Sequence, residues 1–333
     1  MEKETKYGMI SDIHGDPRVI VPTMQVLLKE GAERFLVNGD IGGWQGDLEK
    51  SQNYTAFIIN EVAKAGKETF IQPGSHEPLI VYGPVADHFS DKFSHVHNAI
   101  KTRQVEQSGH SLVFVPGSDF TCGGEYQIGN DENLPTGGYV NNGREGRGSL
   151  ALFRNWDEYN IAMQMGGQTA FHYSNIQDLR KLVKNPDNTI VVCHVPRKFS
   201  GLETCVDMAE FGEAMEDFNL QGSDVKKNSV FPLPVAQKIV QAGYPVKIKK
   251  ENRGNEGMKT LYEELGINKA VSGHFHESSH RANDSYGNHV EEGKPVRELF
   301  WNSGHLDAGN TGILTVKGGE VSYRNIRLQD YLS

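Results

Sequence analysis

A chain of 333 residues, with 37% apolar and 23% charged side chains, is long enough to bury a full core as one large α/β domain or two small ones. No apolar run reaches the ~18 residues of a membrane span, and the polar start Met1-Glu2-Lys3-Glu4-Thr5-Lys6 holds no signal-peptide core, so the expectation is a soluble, cytoplasmic protein with no membrane partner. A formal net charge of -9 weighs against wrapping nucleic acid on a broad basic surface.

Tyr7-Gly8-Met9-Ile10-Ser11 reads as a strand, and Asp16-Pro17 supplies an N-cap with proline in the first helical turn. Ile20, Met24, Leu27 and Leu28 then form one apolar stripe at helical spacing, stopped at Gly31. Phe35-Leu36-Val37-Asn38 is the next strand, residues 54–65 are helical by pattern, and Thr69-Phe70-Ile71 is a third strand. Such a β-α-β-α-β run implies parallel strands with right-handed crossovers, whose ligands gather beyond the carboxyl ends of the strands.

Past residue 95 the pattern is strand-rich, with Ser111-Leu112-Val113-Phe114-Val115 the clearest case. Residues 117–148 are Gly-rich and polar and predict no regular structure: a surface loop, or a lid over a site. Residues 157–165 and 174–183 read as helices before the strand Thr189-Ile190-Val191-Val192-Cys193. An acidic helical pattern near 207–218 and a charged run, Lys249-Lys250-Glu251-Asn252-Arg253-Gly254, fall in a cap-like insertion over about 197–255. Phe300-Trp301-Asn302-Ser303-Gly304, Gly312-Ile313-Leu314-Thr315-Val316 and Val321-Ser322-Tyr323 close the chain as strands, with a turn at Gly318-Gly319.

Five polar blocks follow the strand-like runs in order: Asp12-Ile13-His14, Gly39-Asp40, Gly74-Ser75-His76-Glu77, His194, and Gly273-His274-Phe275-His276. Each alone is weak, since an Asp-x-His or a lone histidine is common, but the ordered set after strand-like runs is not, and its first three blocks converge on one sheet edge. The set resembles the signature of the calcineurin-like metallophosphoesterases, D-x-H, G-D, G-N-H-[DE], H and G-H-x-H, and it spans nearly the whole chain. The resemblance implies a single domain, 1–333, folded as a four-layer α/β/β/α sandwich with the cap-like insertion.

It further implies two divalent ions, Mn²⁺ foremost with Fe, Zn²⁺ or Mg²⁺ compatible with the same donors. Asp40 would bridge them, Asp12, His14 and His276 would complete the first site, and His194 and His274 would bind the second. A hydroxide shared by the ions would attack a phosphate ester, a phosphodiester in preference to a monoester, while His76 protonates the leaving alkoxide. Glu77 would orient His76 or its neighbours. Ser75 departs from the family, standing where an Asn ligates the second metal. A serine hydroxyl is shorter and a poorer neutral oxygen ligand, so the second ion is expected to bind more weakly. A nuclease is a variant of this reading. The competing reading is a metallophosphoesterase-fold binding scaffold, catalytically weakened or inactive at Ser75.

Other features read blandly. His95-Val96-His97 lies in a strand-like run without a partner carboxylate motif and predicts a solvated face. Cys193, neighbour to His194 on a strand, predicts a core thiol, and three cysteines (Cys122, Cys193, Cys205) without C-x-x-C spacing indicate neither a disulfide framework nor a thiolate zinc site. Arg197-Lys198 is a solvated pair, or else a contact for substrate phosphate. His305 lies where the family carries a short motif near its site, with no role assigned. No G-x-x-x-x-G-K-[ST] loop occurs.

Overall fold

Met9 and Ile10 are neighbours on the strand Thr5–Ile10 and both are fully buried, yet they belong to different hydrophobic clusters. Successive strand residues face opposite sides of a sheet, so this strand is covered on both faces. In a computed structural model, which describes residues 3–107, 109–119, 124–143 and 150–331, that double burial is the basis of the architecture.

The first sheet has the spatial order Glu320–Arg327, Asn310–Lys317, Thr5–Ile10, Arg34–Asn38, Thr69–Gln72, Val96–Asn98. Its last four strands are parallel, as the β-α-β pattern predicts, and the two closing strands add antiparallel beside Thr5–Ile10. The second sheet runs Ala282–Asn283, Leu299–Asn302, Lys269–Ser272, Thr189–Cys193, His110–Val115, Gln104–Gln107, parallel at its centre.

Tyr7, Met9, Leu36 and Phe70 from the first sheet meet Leu112, Phe114, Val192 and Trp301 from the second, which makes the middle core. On the outer side, Ile10, Phe35 and Ile71 pack under helices α1 (Ile20–Lys29), α2 (Leu48–Ala63) and α3 (Leu79–Lys92). The far face of the second sheet places Val113, Val191 and Cys193 against Met258, Leu261 and Tyr262 of the helix Glu256–Leu265. The layers are therefore α/β/β/α, the sandwich that the family resemblance implies.

Several local expectations change. α2 begins at Leu48, capped by Asp47, because its polar first turns carry no apolar signal. α3 was not legible, since Pro84 lies inside it and a helix-interior proline argues against helix. Residues 117–148 are not devoid of structure: Ser118–Asp119, Tyr126–Gly129 and Gly137–Asn141 join Leu150–Phe153 and Thr169–Asn175 in a five-stranded sheet. Its glycines hide the strand pattern but are used in it. Gly138 pairs directly with Phe153, and a Cβ on Gly138 would lie 2.4 Å from that ring.

The helix expected over 174–183 starts two residues late, since Ser174 and Asn175 end the strand Thr169–Asn175, and it is short and mixed, a 3-10 turn at Ile176–Asp178 running into the α-helical Leu179–Leu182, whereas Trp156–Gln164 forms helix α4 as expected. The acidic pattern near 207–218 is the strand Met208–Ala214, paired with Val246–Asn252, the charged run. Glu213 and Lys249 meet across it at 2.7 Å, so alternating charge on paired strands had mimicked an amphipathic helix. His95 Nε2 lies 2.9 Å from the Ala63 carbonyl and His97 Nε2 2.6 Å from Glu68, both tertiary contacts on a partly exposed face.

Cys193 and Cys205 are buried thiols, and Cys122 lies outside the described residues. Arg197 overturns both of its expected roles. It is buried, with its guanidinium stacked on Phe199 and Phe300 and paired with Glu263 at 2.9 Å. Its aliphatic stem and planar head fill a core position that a lysine ammonium would not tolerate. Among the described residues, no helix is long and apolar enough to cross a membrane.

Candidate metal centre

Three non-glycine residues of the motif blocks, Asp12, Asp40 and His274, adopt positive φ of 57°, 53° and 69°. Such backbone is uncommon for residues with a Cβ and persists where the surroundings fix it. Here each follows a parallel strand and turns its side chain into one hollow. The motif glycines make room: a Cβ on Gly74 would lie 2.4 Å from Asp40 Oδ1, one on Gly273 2.4 Å from Asp12 Oδ2, and one on Gly39 2.6 Å from His194 Nδ1. Gly39 also has φ +83°, so it needs both its small size and its freedom.

Within the hollow, Asp40 Oδ2 lies 3.1 Å from His194 Nε2, 3.8 Å from His14 Nε2 and 4.0 Å from His76 Nε2. Asp12 Oδ1 lies 3.3 Å from His276 Nε2 and 3.8 Å from His194 Nε2. Three groups of donor atoms have spacing that could hold a metal ion: Asp12 with His14 and His276, His14 with Asp40 and His76, and Asp40 with His194 and His274. The structure thus brings together every sequence-predicted donor.

Two observations test whether these residues suit a cation. The Nε2 atom of His14 is buried without a hydrogen-bond partner, a costly state that a metal would relieve. His194 Nδ1 sits 2.8 Å from the Asn38 carbonyl and carries a proton, so in the neutral ring Nε2 is the lone-pair atom facing the carboxylates. Oxygen and imidazole donors with no thiolate are a fitting set for a divalent first-row ion or Mg²⁺.

Electrostatics agree. Burial works against ionising Asp12 and Asp40, but the surrounding imidazoles together outweigh it, His194 with His276 at Asp12 and His194 with His76 and His14 at Asp40, and hold both carboxyls below the usual range. Burial likewise depresses His194, yet Asp40 and Asp12 together lift it to about 10. A proton on His194 therefore balances the buried negative charge when no cation does. His274 is pushed down to about 3 by burial and by His194, so it is a neutral imidazole.

Ser75 turns to the carboxylate. Its Oγ donates to Asp40 Oδ2 at 2.8 Å and its N–H donates to Asp40 Oδ1 at 2.5 Å, which the His76 N–H also reaches at 3.0 Å. Glu77 serves the neighbours of His76. Its two oxygens accept from Ile41 N–H at 2.6 Å and Gly74 N–H at 2.8 Å, tying the second and third blocks together, and burial followed by the Asp40 charge raises its carboxyl to about 8.

No family model matches the chain, and no curated protein does. Among solved structures it is similar to TT1561 of Thermus thermophilus, at 12% identity and TM-score 0.50, covering 98% of this chain and 100% of that one. A dimetal phosphatase from Danio rerio aligns at 9% identity and TM-score 0.46 over 97% and 99% of the two chains. A purple acid phosphatase from yellow lupin seeds aligns at 9% and 0.41, over 99% of this chain and 52% of that one. Likeness at these identities is one of fold alone.

In fold, the chain resembles the calcineurin-like metallophosphoesterases. Within this metallophosphoesterase-like frame, two site neighbours lay outside the sequence signature. His305 stacks on His276 with ring centroids 3.9 Å apart and planes 6° from parallel. Asp307, which sequence reading passed over, accepts from the N–H groups of His14 and Gly15 at 2.9 and 3.1 Å. The only sequence signal was a polar stretch, Asn302-Ser303-Gly304-His305, just past a buried strand.

Proposed function

We propose that this chain is a divalent-metal-dependent phosphoric ester hydrolase, acting on a phosphodiester in preference to a monoester. The observation that carries the reading is the linkage of the donor groups through Asp40: buried carboxylates and oriented imidazoles from distant segments close around one hollow. In this reading Asp12, His14 and His276 hold one ion, His194 and His274 hold another, and Asp40 stands between them. Mn²⁺ is the ion proposed, the donors also suiting Fe, Zn²⁺ and Mg²⁺. Bound ions of this kind supply a water-derived nucleophile at neutral pH and neutralise phosphate charge.

The chain's own residues do the rest. Asn38 fixes the His194 tautomer, Glu77 locks the Gly39-Asp40 and Gly74-Ser75 loops together, and Asp307 holds the Asp12-to-Gly15 loop. His76 has a side chain that is 59% exposed at the open side of the hollow, so it can hand a proton to the leaving alkoxide. Removing such an acid costs about 10² to 10⁴ in rate.

Preference for a diester is supported by the composition of the centre. The ion pairs into Asp12 and Asp40 come from histidines, with no Lys or Arg among them. A monoanionic phosphate therefore needs less compensation there than a dianionic one. The test is Mn²⁺-supported hydrolysis of bis-p-nitrophenyl phosphate against p-nitrophenyl phosphate, with Asp40→Asn as the blank. Faster release from the diester supports the proposal, and faster release from the monoester removes the diester preference.

One observation favours a second reading, a weakened enzyme serving as a binding scaffold: Ser75 Oγ occupies Asp40 Oδ2 instead of offering a lone pair to an ion. Chelation separates the two. An enzyme loses turnover with its metal, whereas a scaffold turns over nothing in either state.

A further inference from the structure

A second cavity, of about 400 Å³, lies along α3, and none of the Asp and His donors of the metal centre lines it. Its walls carry Tyr126, Phe153 and Trp156, and its polar lining includes His172, Lys101 and Arg154. The volume falls in the range of small-molecule sites, and the mixture of aromatic surface with a few polar groups is what such sites use.

The wall is built onto bare backbone. A Cβ on Gly83 would lie 2.1 Å from Trp156 Cζ2, so the indole rests against α3 only because residue 83 is glycine. The indole is also fixed by its N–H, which donates to Asp87 Oδ2 at 3.2 Å. Asp87 takes Asn98 Nδ2 at 2.9 Å and Lys101 Nζ at 2.7 Å on its other oxygen, so its charge is already compensated. Arg154 is exposed and lines the cavity, which gives it a cationic margin.

His172 is the polar group that packing leaves unsatisfied. Its ring is more than nine-tenths buried and Nδ1 has no hydrogen-bond partner. Burial, followed by the nearby Arg103 charge, depresses its pKa to about 3, so the ring is neutral and can exchange a hydrogen bond with a neutral polar edge. A planar ring with hydrogen-bonding edges matches the aromatic wall and His172 together, and an anionic group matches Arg154. A single aromatic ring would leave much of the space empty.

We propose that this cavity binds a purine nucleoside monophosphate, its base against Tyr126, Phe153 and Trp156 with an edge on His172, and its phosphate on Arg154. This site is separate from the metal centre, and it stands whether or not the hydrolase reading does.

The experiment is calorimetric titration of the full chain with AMP in the presence of EDTA, with adenosine and inorganic phosphate as comparison probes. The expected result is saturable AMP binding under chelation, adenosine binding more weakly, and phosphate alone not binding. Arg154→Ala, a change at an exposed position, should weaken AMP at least tenfold and leave adenosine unchanged, while Trp156→Leu should weaken both. AMP binding that disappears on chelation and ignores Arg154→Ala places the ligand at the metal centre and overturns the proposal. Absence of AMP binding at millimolar concentration overturns it as well.

Discussion

Asp307 holds the loop of His14 from a position 293 residues away, its carboxylate receiving the His14 N–H at 2.9 Å and the Gly15 N–H at 3.1 Å. The tie is mutual, since the Asp307 N–H points to the Asp12 carbonyl at 3.4 Å. Outer partners of this kind commonly cost 10- to 100-fold in metal affinity when removed. Asp307→Ala should therefore weaken binding of the Asp12 and His14 ion by about that factor, with a smaller loss for Asp307→Asn, which keeps one acceptor. Calorimetric titration of metal-stripped protein checks this, and circular dichroism confirms that the fold persists.

Ser75 gives a prediction of opposite sign. Its hydroxyl donates to the Asp40 oxygen that also faces His194, so it competes with a cation for that lone pair. Ser75→Asn removes the competing donor and supplies a longer carbonyl. The weaker of two Mn²⁺ binding events should tighten by roughly tenfold, of the order seen for changes at metal neighbours. An unchanged weak constant would mean that Ser75 does not limit the second site.

Arg197 separates packing from catalysis. Truncating it uncovers Phe199 and Phe300 and leaves Glu263 without its partner, so Arg197→Ala should cost about 2 kcal/mol by urea denaturation, reduced from the cost of a fully buried pair because Glu263 is half exposed. At a temperature where the variant is folded, KM for a phosphate ester should be unaltered. A raised KM would return Arg197 to the substrate.

His172 sets an acid limit on stability. Its pKa is about 3 in the folded chain, depressed by burial and then by Arg103, against about 6.5 unfolded. The unfolded chain therefore gains a proton first as pH falls, and stability present above 6.5 is lost progressively between 6.5 and 3. The slope contributed is at most about 1.4 kcal/mol per pH unit. Denaturation midpoints measured over that window should fall less steeply in His172→Gln, which cannot take up the proton.

The parallel strands and the donor blocks were legible because both are written in short-range signals, and the four-layer sandwich was what the family resemblance implied. Apolar runs such as Val191-Val192 announce strands covered on both faces, and the motif glycines mark close approaches, as Gly74 does against Asp40. What was illegible depends on distant partners. Met208–Ala214 is a strand because Val246–Asn252 pairs with it, and Gly137–Asn141 is one because Phe153 covers Gly138. Asp307 acts through main-chain N–H groups, which no residue spacing encodes. Arg197 could not be assigned to the core, because nothing near it in sequence names Phe300 as its platform.

The most direct test of the central claim is to strip the chain of metal and titrate Mn²⁺ back while following hydrolysis of bis-p-nitrophenyl phosphate, beside Asp40→Asn. The metal-centre reading predicts no turnover without metal, activity that rises as the weaker of two sites fills, and neither tight double occupancy nor turnover in Asp40→Asn. Turnover that survives full chelation, or two ions bound as tightly by Asp40→Asn as by the parent chain, would contradict it.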